Sequence, residues 1–351
     1  MQVYKGLHIV TNKVTEEECR GVPHHLLGIA DPNTNFTAMD FCHHASLAIQ
    51  SITARNRHPI IAGGSNSFIE ALVTDVPEFK SRYECCFLWV DVSLPVLHRF
   101  VSERVDRMVE AGLVEEVRRI FDPEADYSRG IRRAIGVPEM DQFLRGERIV
   151  GDKIAAQYLR KAIAKIKENT CKLACSQLDK IHRLQNIRGW KIHRLDATEA
   201  FLKRGDDAEE AWEKHVAGPS MDIVGCFLRH QDCVPNIVVG SGSGSVHCHH
   251  RLHRGHDRCG GRKSLKAVGP TKSYPRSNNT TPPGWPPRII FFRFCFSGFR
   301  LSGILEVGKI KKEKKLRRLL KEIAMMAVKQ HALCSRTIGE GSFSKTERVP
   351  T

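Results

Sequence analysis

Side chains able to grip phosphate recur at several places in the 351-residue chain. GGSNSF (63–68) follows the apolar run PIIA, which places two glycines and the Ser65 hydroxyl where a strand turns into a helix. Glycine lets backbone N–H groups approach phosphate oxygens closely, but the same pair serves equally as a sharp turn that binds nothing. RGIRRAIG (129–136) clusters three arginines. A planar guanidinium holds a diphosphate through paired hydrogen bonds, whereas surface arginine runs are commonly just solvated. Lys172, Lys180 and Arg183 add cations to a helical stretch, with solvent exposure as the plain alternative. Cys248, His249, His250, His253, His256 and Cys259 carry metal-binding groups, yet their order matches no zinc spacing. Their Gly/Arg-rich setting also lacks the fixed geometry a tetrahedral site needs.

The elements that must position these groups read as α/β. PIIAGG (59–64), CCFLWVDV (85–92) and WKIHRLDAT (190–198) are short apolar runs of strand type separated by helical stretches, a pattern that predicts a largely parallel sheet flanked by helices. Leu97, Val101, Val105, Met108, Val109, Val114, Val117 and Ile120 recur near helical spacing and read as core, with Gly112 breaking two helices. A third helix runs over about 152–188, and a short acidic one ends near Val216 before Gly218 and Pro219 close the globular part.

The first 219 residues carry 31 basic and 31 acidic side chains, so the remaining 24 basic and 8 acidic ones, and with them the whole +16, fall after them. The expected organisation is an α/β domain over 1–218, an irregular or disordered segment over 219–303, a basic amphipathic helix over 304–333 and a disordered tail over 334–351. In that helix Leu316, Leu319, Leu320, Ile323, Met326 and Ala327 share one face. With 41% hydrophobic and 27% charged residues the composition is that of a globular protein, and no stretch of eighteen apolar residues predicts a membrane span. The 12 cysteines show no framework spacing and are expected as reduced thiols, with Cys171 and Cys175 sharing a buried helix face. No targeting segment is visible, which makes a cytoplasmic location the default expectation.

MQVYKGLHIVTNKVT, GVPHHLLG, PIIAGGSNSFIEALV, SERVDRMVEAGLVEEVRRIF and RRAIGVPEM follow one another in this order. Over residues 1–217 the chain thereby resembles the isopentenyltransferase family that prenylates adenine, and within it the plant adenylate isopentenyltransferases, or cytokinin synthases. The resemblance implies a P-loop-kinase-like fold and transfer of a dimethylallyl group from its diphosphate to N6 of AMP, ADP or ATP. Magnesium would ride on the substrate phosphates, with no tightly bound cofactor and no metal-ligating residue. Arg133 matches the family arginine at the leaving diphosphate and is the expected catalytic residue. Lys13, Arg132, Lys172 and Ser65 are expected at the donor diphosphate, and Gln2, Tyr4, Gly63, Gly64 and Asn66 in the nucleotide and acceptor pocket. Such a cationic set suits the chemistry, because an allylic carbon losing diphosphate passes through a carbocation-like state while negative charge grows on the leaving group.

Family members open with a strand, a GxTGxGKS phosphate loop, a helix and a second strand ending in an NSDK-like segment before MQVY. The present sequence starts at that Met. The expected sheet therefore lacks the first strand and phosphate loop, the carboxylate proposed as general base is missing, and negligible activity is expected. His8 stands where the family usually has Asp and reads as a surface histidine. The tRNA-modifying branch carries a long helical insertion after the Gly-Gly-turn helix, whereas only about a dozen residues (74–84) bridge that interval here. A free adenine nucleotide is thus the expected acceptor and tRNA the alternative. A third reading is a non-enzymatic protein whose basic tail binds nucleic acid or an anionic surface. Family members are often plastid or mitochondrial.

Overall fold

The apolar runs form strands because their branched and aromatic side chains pack on both faces of a sheet. A computed structural model of the protein describes residues 1–19, 21–229, 287–294 and 303–307. Its helices are α1 (Glu16–Cys19), α2 (Ala38–Ala54), α3 (Asn66–Thr74), α4 (Phe79–Arg82), α5 (Leu94–Glu110), α6 (Leu113–Arg118), α7 (Asp141–Gly146), α8 (Asp152–Asn186), α9 (Thr198–Leu202), α10 (Gly205–Trp212) and α11 (Gly218–Arg229). The strands are β1 (His24–His25), β2 (His58–Gly63), β3 (Glu84–Asp91), β4 (Ile192–Asp196), β5 (Arg288–Phe294) and β6 (Gly303–Val307). They form one sheet in the order β1-β6-β2-β5-β3-β4. Strands β2, β5, β3 and β4 are parallel, while β6 runs antiparallel to β2 and β1.

Helix α5 buries Leu97, Phe100, Val101, Arg104, Val105 and Met108 along one face. The expected break falls at Gly112, whose φ of 100° is easy only for glycine. Thr37 caps α2 reciprocally with Asp40: the Thr37 hydroxyl accepts from the Asp40 N–H at 3.2 Å, and the Asp40 carboxylate accepts from the Thr37 N–H at 2.8 Å. The Thr37 N–H, and then its hydroxyl, which donates to Asp40 Oδ2 at 2.7 Å, hold the Asp40 carboxyl below its ordinary range.

The chain beyond residue 218 departs from the expected organisation. Gly218 and Pro219 open α11 rather than ending the domain, and Met221 and Val224 of that helix enter the core. A π-helical turn over Glu213–Ala217 joins α10 to α11 without a break, and Pro219 falls directly after this widened turn, which accommodates a residue without an N–H. Strand β5 lies within the segment expected to be irregular and occupies the sheet between β2 and β3, with Ile290 in register with Ile60 and Phe291 with Phe87. Ile289, Ile290, Phe291 and Phe292 are all buried. The sheet expected to lack a strand is therefore continuous. The Gly, Pro and His content averaged over 219–303 masks the apolar run IIFF (289–292) at the centre of this strand.

Residues 304–307, expected to begin a helix, join Gly303 to form β6 instead. Buried Glu306 anchors that strand through Arg55 (Nη2 at 2.5 Å), Arg57 (Nη1 at 3.0 Å) and His25 (Nε2 at 3.3 Å). The hydrogen bond from Arg55 is the main reason its carboxyl titrates below the usual range. The rest of the expected basic helix (308–333), the 334–351 tail and the cluster from Cys248 to Cys259 lie outside the described residues.

Six described cysteines are free, including partly buried Cys171 and Cys175. Cys226 is disulfide-bonded, a departure from the reduced state expected of every cysteine. It sits half-buried on α11, where cysteine spacing carries no signal of pairing. Among the described residues no helix is long and apolar enough to cross a membrane.

Candidate functional site

The MQVY segment owes its shape to backbone pairing and to one acid. Lys5 N–H donates to the Ala30 carbonyl (2.9 Å) and Ala30 N–H to that of Val3 (2.8 Å). The Tyr4 hydroxyl accepts from the Phe36 N–H at 3.0 Å. Glu116 of α6 receives the N–H groups of Ile9 (3.0 Å) and Val10 (2.8 Å) and ties the following turn down. Opposite, Gly130 opens a tight 3-10 turn over Gly130–Arg133. A Cβ at Gly130 would lie 2.1 Å from the Pro32 carbonyl oxygen, so only glycine lets the arginine turn dock there.

Between these segments, the carboxyl end of β2 and one face each of α5 and α8 lies a cavity of about 410 Å³. Much of its wall is apolar, including Phe36, Phe68, Ile69, Met108, Ile135 and Ile166. Polar groups enter from Gln2, Asn12, Ser65, Arg104, Arg133 and Gln177. Among the described residues no Asp or Glu lines it.

Of the residues singled out by sequence, Arg133, Ser65, Gly63, Gly64, Gln2 and Tyr4 line this one cavity. Ser65 precedes α3 without spending its hydroxyl on capping, and the helix N-terminus offers further N–H groups. Gln2 is buried, and its Nε2 donates to the Asn12 carbonyl at 2.6 Å. That bond fixes the amide orientation, and Oε1 is buried without a partner among the described residues.

The other expected residues are placed differently. Asn66 is buried and donates from Nδ2 to the Gln177 side chain (Oε1, 3.0 Å) and main chain (O, 3.3 Å), fastening α3 to α8 rather than lining the cavity. Lys172 points outward on α8 and pairs with Glu168 at 2.5 Å. Thr170, Leu173 and Gln177 form the face of that helix toward the cavity, because residues three and four apart share a face and position 172 falls off it. Arg132 donates to Asn33 Oδ1 at 2.5 Å, away from the lining. Lys13 turns into its own loop, donating to the Gly6 carbonyl (2.5 Å) and the Thr11 hydroxyl (2.7 Å). Burial lowers its ammonium to about 8. Lys13 and Arg133 both lie near the amino group of Met1, which burial first and then these two cations push down to about 6. His8 is exposed, as the surface reading had it.

Sequence reading missed Arg104. The signal was present: it stands three residues after Val101 and four before Met108, on the apolar face of α5.

Among the described residues no three His, Cys, Asp or Glu side chains gather as a metal site, and the cavity offers guanidinium and amide groups instead.

A family model described as IPP transferase matches residues 2–82 and 77–183. The chain is 63% identical over 235 residues to adenylate isopentenyltransferase 5, chloroplastic, of Arabidopsis thaliana, covering 66% of this chain and 71% of that protein. It is 53% identical over 256 residues to adenylate isopentenyltransferase 7, mitochondrial, of the same plant, covering 70% and 78%. Among solved structures, a eukaryotic dimethylallyltransferase acting on tRNA is similar with a TM-score of 0.54 at 20% identity, covering 67% of this chain and 73% of that one. At that identity the likeness speaks for the fold alone.

Proposed function

The chain belongs to the IPP transferase family, and we propose that it transfers a dimethylallyl group from dimethylallyl diphosphate to the N6 amine of an adenine nucleotide in cytokinin synthesis. The observation that carries this reading is one cavity with an apolar wall for a five-carbon chain and, on the same lining, Arg133 beside the Gly63–Ser65 turn. In the reaction the allylic C–O bond breaks and its electron pair leaves with the diphosphate. The N6 lone pair then bonds to the freed carbon, and one N6 proton passes to water or to a diphosphate oxygen. Arg133, Ser65 and the N–H groups at the start of α3 would face the growing negative charge. Gln2 Oε1 would accept a hydrogen bond from the N6 amine and aim it. Magnesium, when it accompanies the substrates, neutralises phosphate charge.

A free nucleotide is favoured over tRNA because α3 and β3 are joined only through the short α4, with no long helical insertion between them. The chloroplastic and mitochondrial names of the relatives support an organellar location, and leave the default cytoplasmic expectation without support. Imaging a fluorescent fusion tests that point.

The central test supplies the full chain with dimethylallyl diphosphate, magnesium and either ADP or unmodified tRNA. Calorimetry follows binding and mass spectrometry follows prenylated adenine. Saturable binding of both small substrates, with product on ADP at however low a rate, is the expected result. Product on tRNA alone would move the reading to the alternative. Binding of neither small substrate would overturn it.

A further inference from the structure

Arg104 occupies a place in α5 where the helical spacing calls for a hydrophobe. Its side chain is only 7% exposed and lines the cavity. Its Nε and Nη1 are buried with no hydrogen-bond partner among the described residues. One turn on, Arg107 rests over the Phe100 ring at 5.7 Å, and its Nη1 and Nη2 are equally without partners. An unpaired buried guanidinium is costly, and no carboxylate among the described lining residues relieves it. Burial, then the nearby Arg107, lower the Arg104 guanidinium to about 10, which still leaves it charged at neutral pH. The groups left without partners are donors only, so the missing complement is an acceptor, and an anionic one.

We propose that Arg104 is a second phosphate-binding residue of the cavity, donating from its buried guanidinium to phosphate oxygens of a bound substrate. The proposal rests on the prenyl-transfer reading. The oxygens can come from the donor diphosphate or from the phosphates of the acceptor nucleotide, and the same chemistry serves both.

The experiment titrates the full chain and its Arg104→Met, Arg104→Lys and Lys172→Met forms with inorganic pyrophosphate, dimethylallyl diphosphate, ADP and adenosine, and records each unfolding midpoint. Arg104→Met should weaken phosphate ligands by about 10- to 100-fold, leave adenosine unaffected, and hold or raise the midpoint, because it removes a buried unpaired charge. Arg104→Lys should keep part of the affinity, and Lys172→Met, on the surface, all of it. Loss confined to pyrophosphate and dimethylallyl diphosphate assigns the donor; loss confined to ADP assigns the nucleotide. Undiminished affinity for every phosphate ligand in Arg104→Met overturns the inference while the prenyl-transfer reading stands. A lowered midpoint in both Arg104 variants makes the residue a structural support and also overturns it. Failure of the unaltered chain to bind dimethylallyl diphosphate or ADP sinks both.

Discussion

The middle of the sheet and the wall of the cavity are built to opposite rules. In the sheet, Ile60, Ile290, Phe291 and Leu88 are fully buried, and Glu306 is held by two arginines and a histidine. On the wall, Gln2 Oε1 and two Arg104 nitrogens are buried and unpartnered among the described residues, and Asn12 and Leu26 hold positive φ of 51° and 68°. Such strain and unmet hydrogen bonding cost stability and persist where a ligand later makes use of them. The contrast teaches that stability was invested in the strands, whereas the wall trades stability for readiness to bind.

Substitutions can break that contrast. The largest loss is expected from Phe291→Ala in β5, about 3–5 kcal/mol by urea unfolding, because the vacated volume lies between packed strands. A loss below about 1 kcal/mol would mean that β5 is dispensable to the sheet. Glu306→Gln should cost about 1–3 kcal/mol by removing charge-assisted hydrogen bonds. Because the folded-state pKa of Glu306 is depressed, its contribution is full above the unfolded carboxylate value near ~4.3 and fades as pH falls through the folded value. The difference between wild type and Glu306→Gln should accordingly shrink in thermal melts below about pH 4; a constant difference would refute the assignment.

Thr37→Ala removes half of the α2 capping box and should cost about 1 kcal/mol. Gln2→Leu should change stability least, by less than about 1 kcal/mol, since a lost hydrogen bond is offset by removal of an unsatisfied carbonyl. Its effect should instead appear as weaker binding of adenosine, measured by calorimetry. A large stability loss with unaltered adenosine binding would place Gln2 on the structural side of the comparison.

Much of this molecule was readable in advance. The strands at 58–63, 84–91 and 192–196 and the helix break at Gly112 follow from apolar period and glycine placement alone. Arg133 and Ser65 could be brought to one place by motif order. Lys172 could not be told from an inward-facing cation, because local spacing does not record which face of α8 meets the cavity and which turns toward Glu168. Arg104 was legible as a charge on an apolar face, between Val101 and Met108, but the apolar period alone gives such a charge no role.

By itself the sequence determined the local elements and the family, since both depend on residue types at short spacing. Only the tertiary structure decided that 288–294 would lie between β2 and β3, about two hundred residues from either, and which cations would face inward. Strand partners and side-chain direction are set by long-range packing, where the gain from burying Ile290 and Phe291 must exceed the entropy of closing a long loop. No local pattern records that balance.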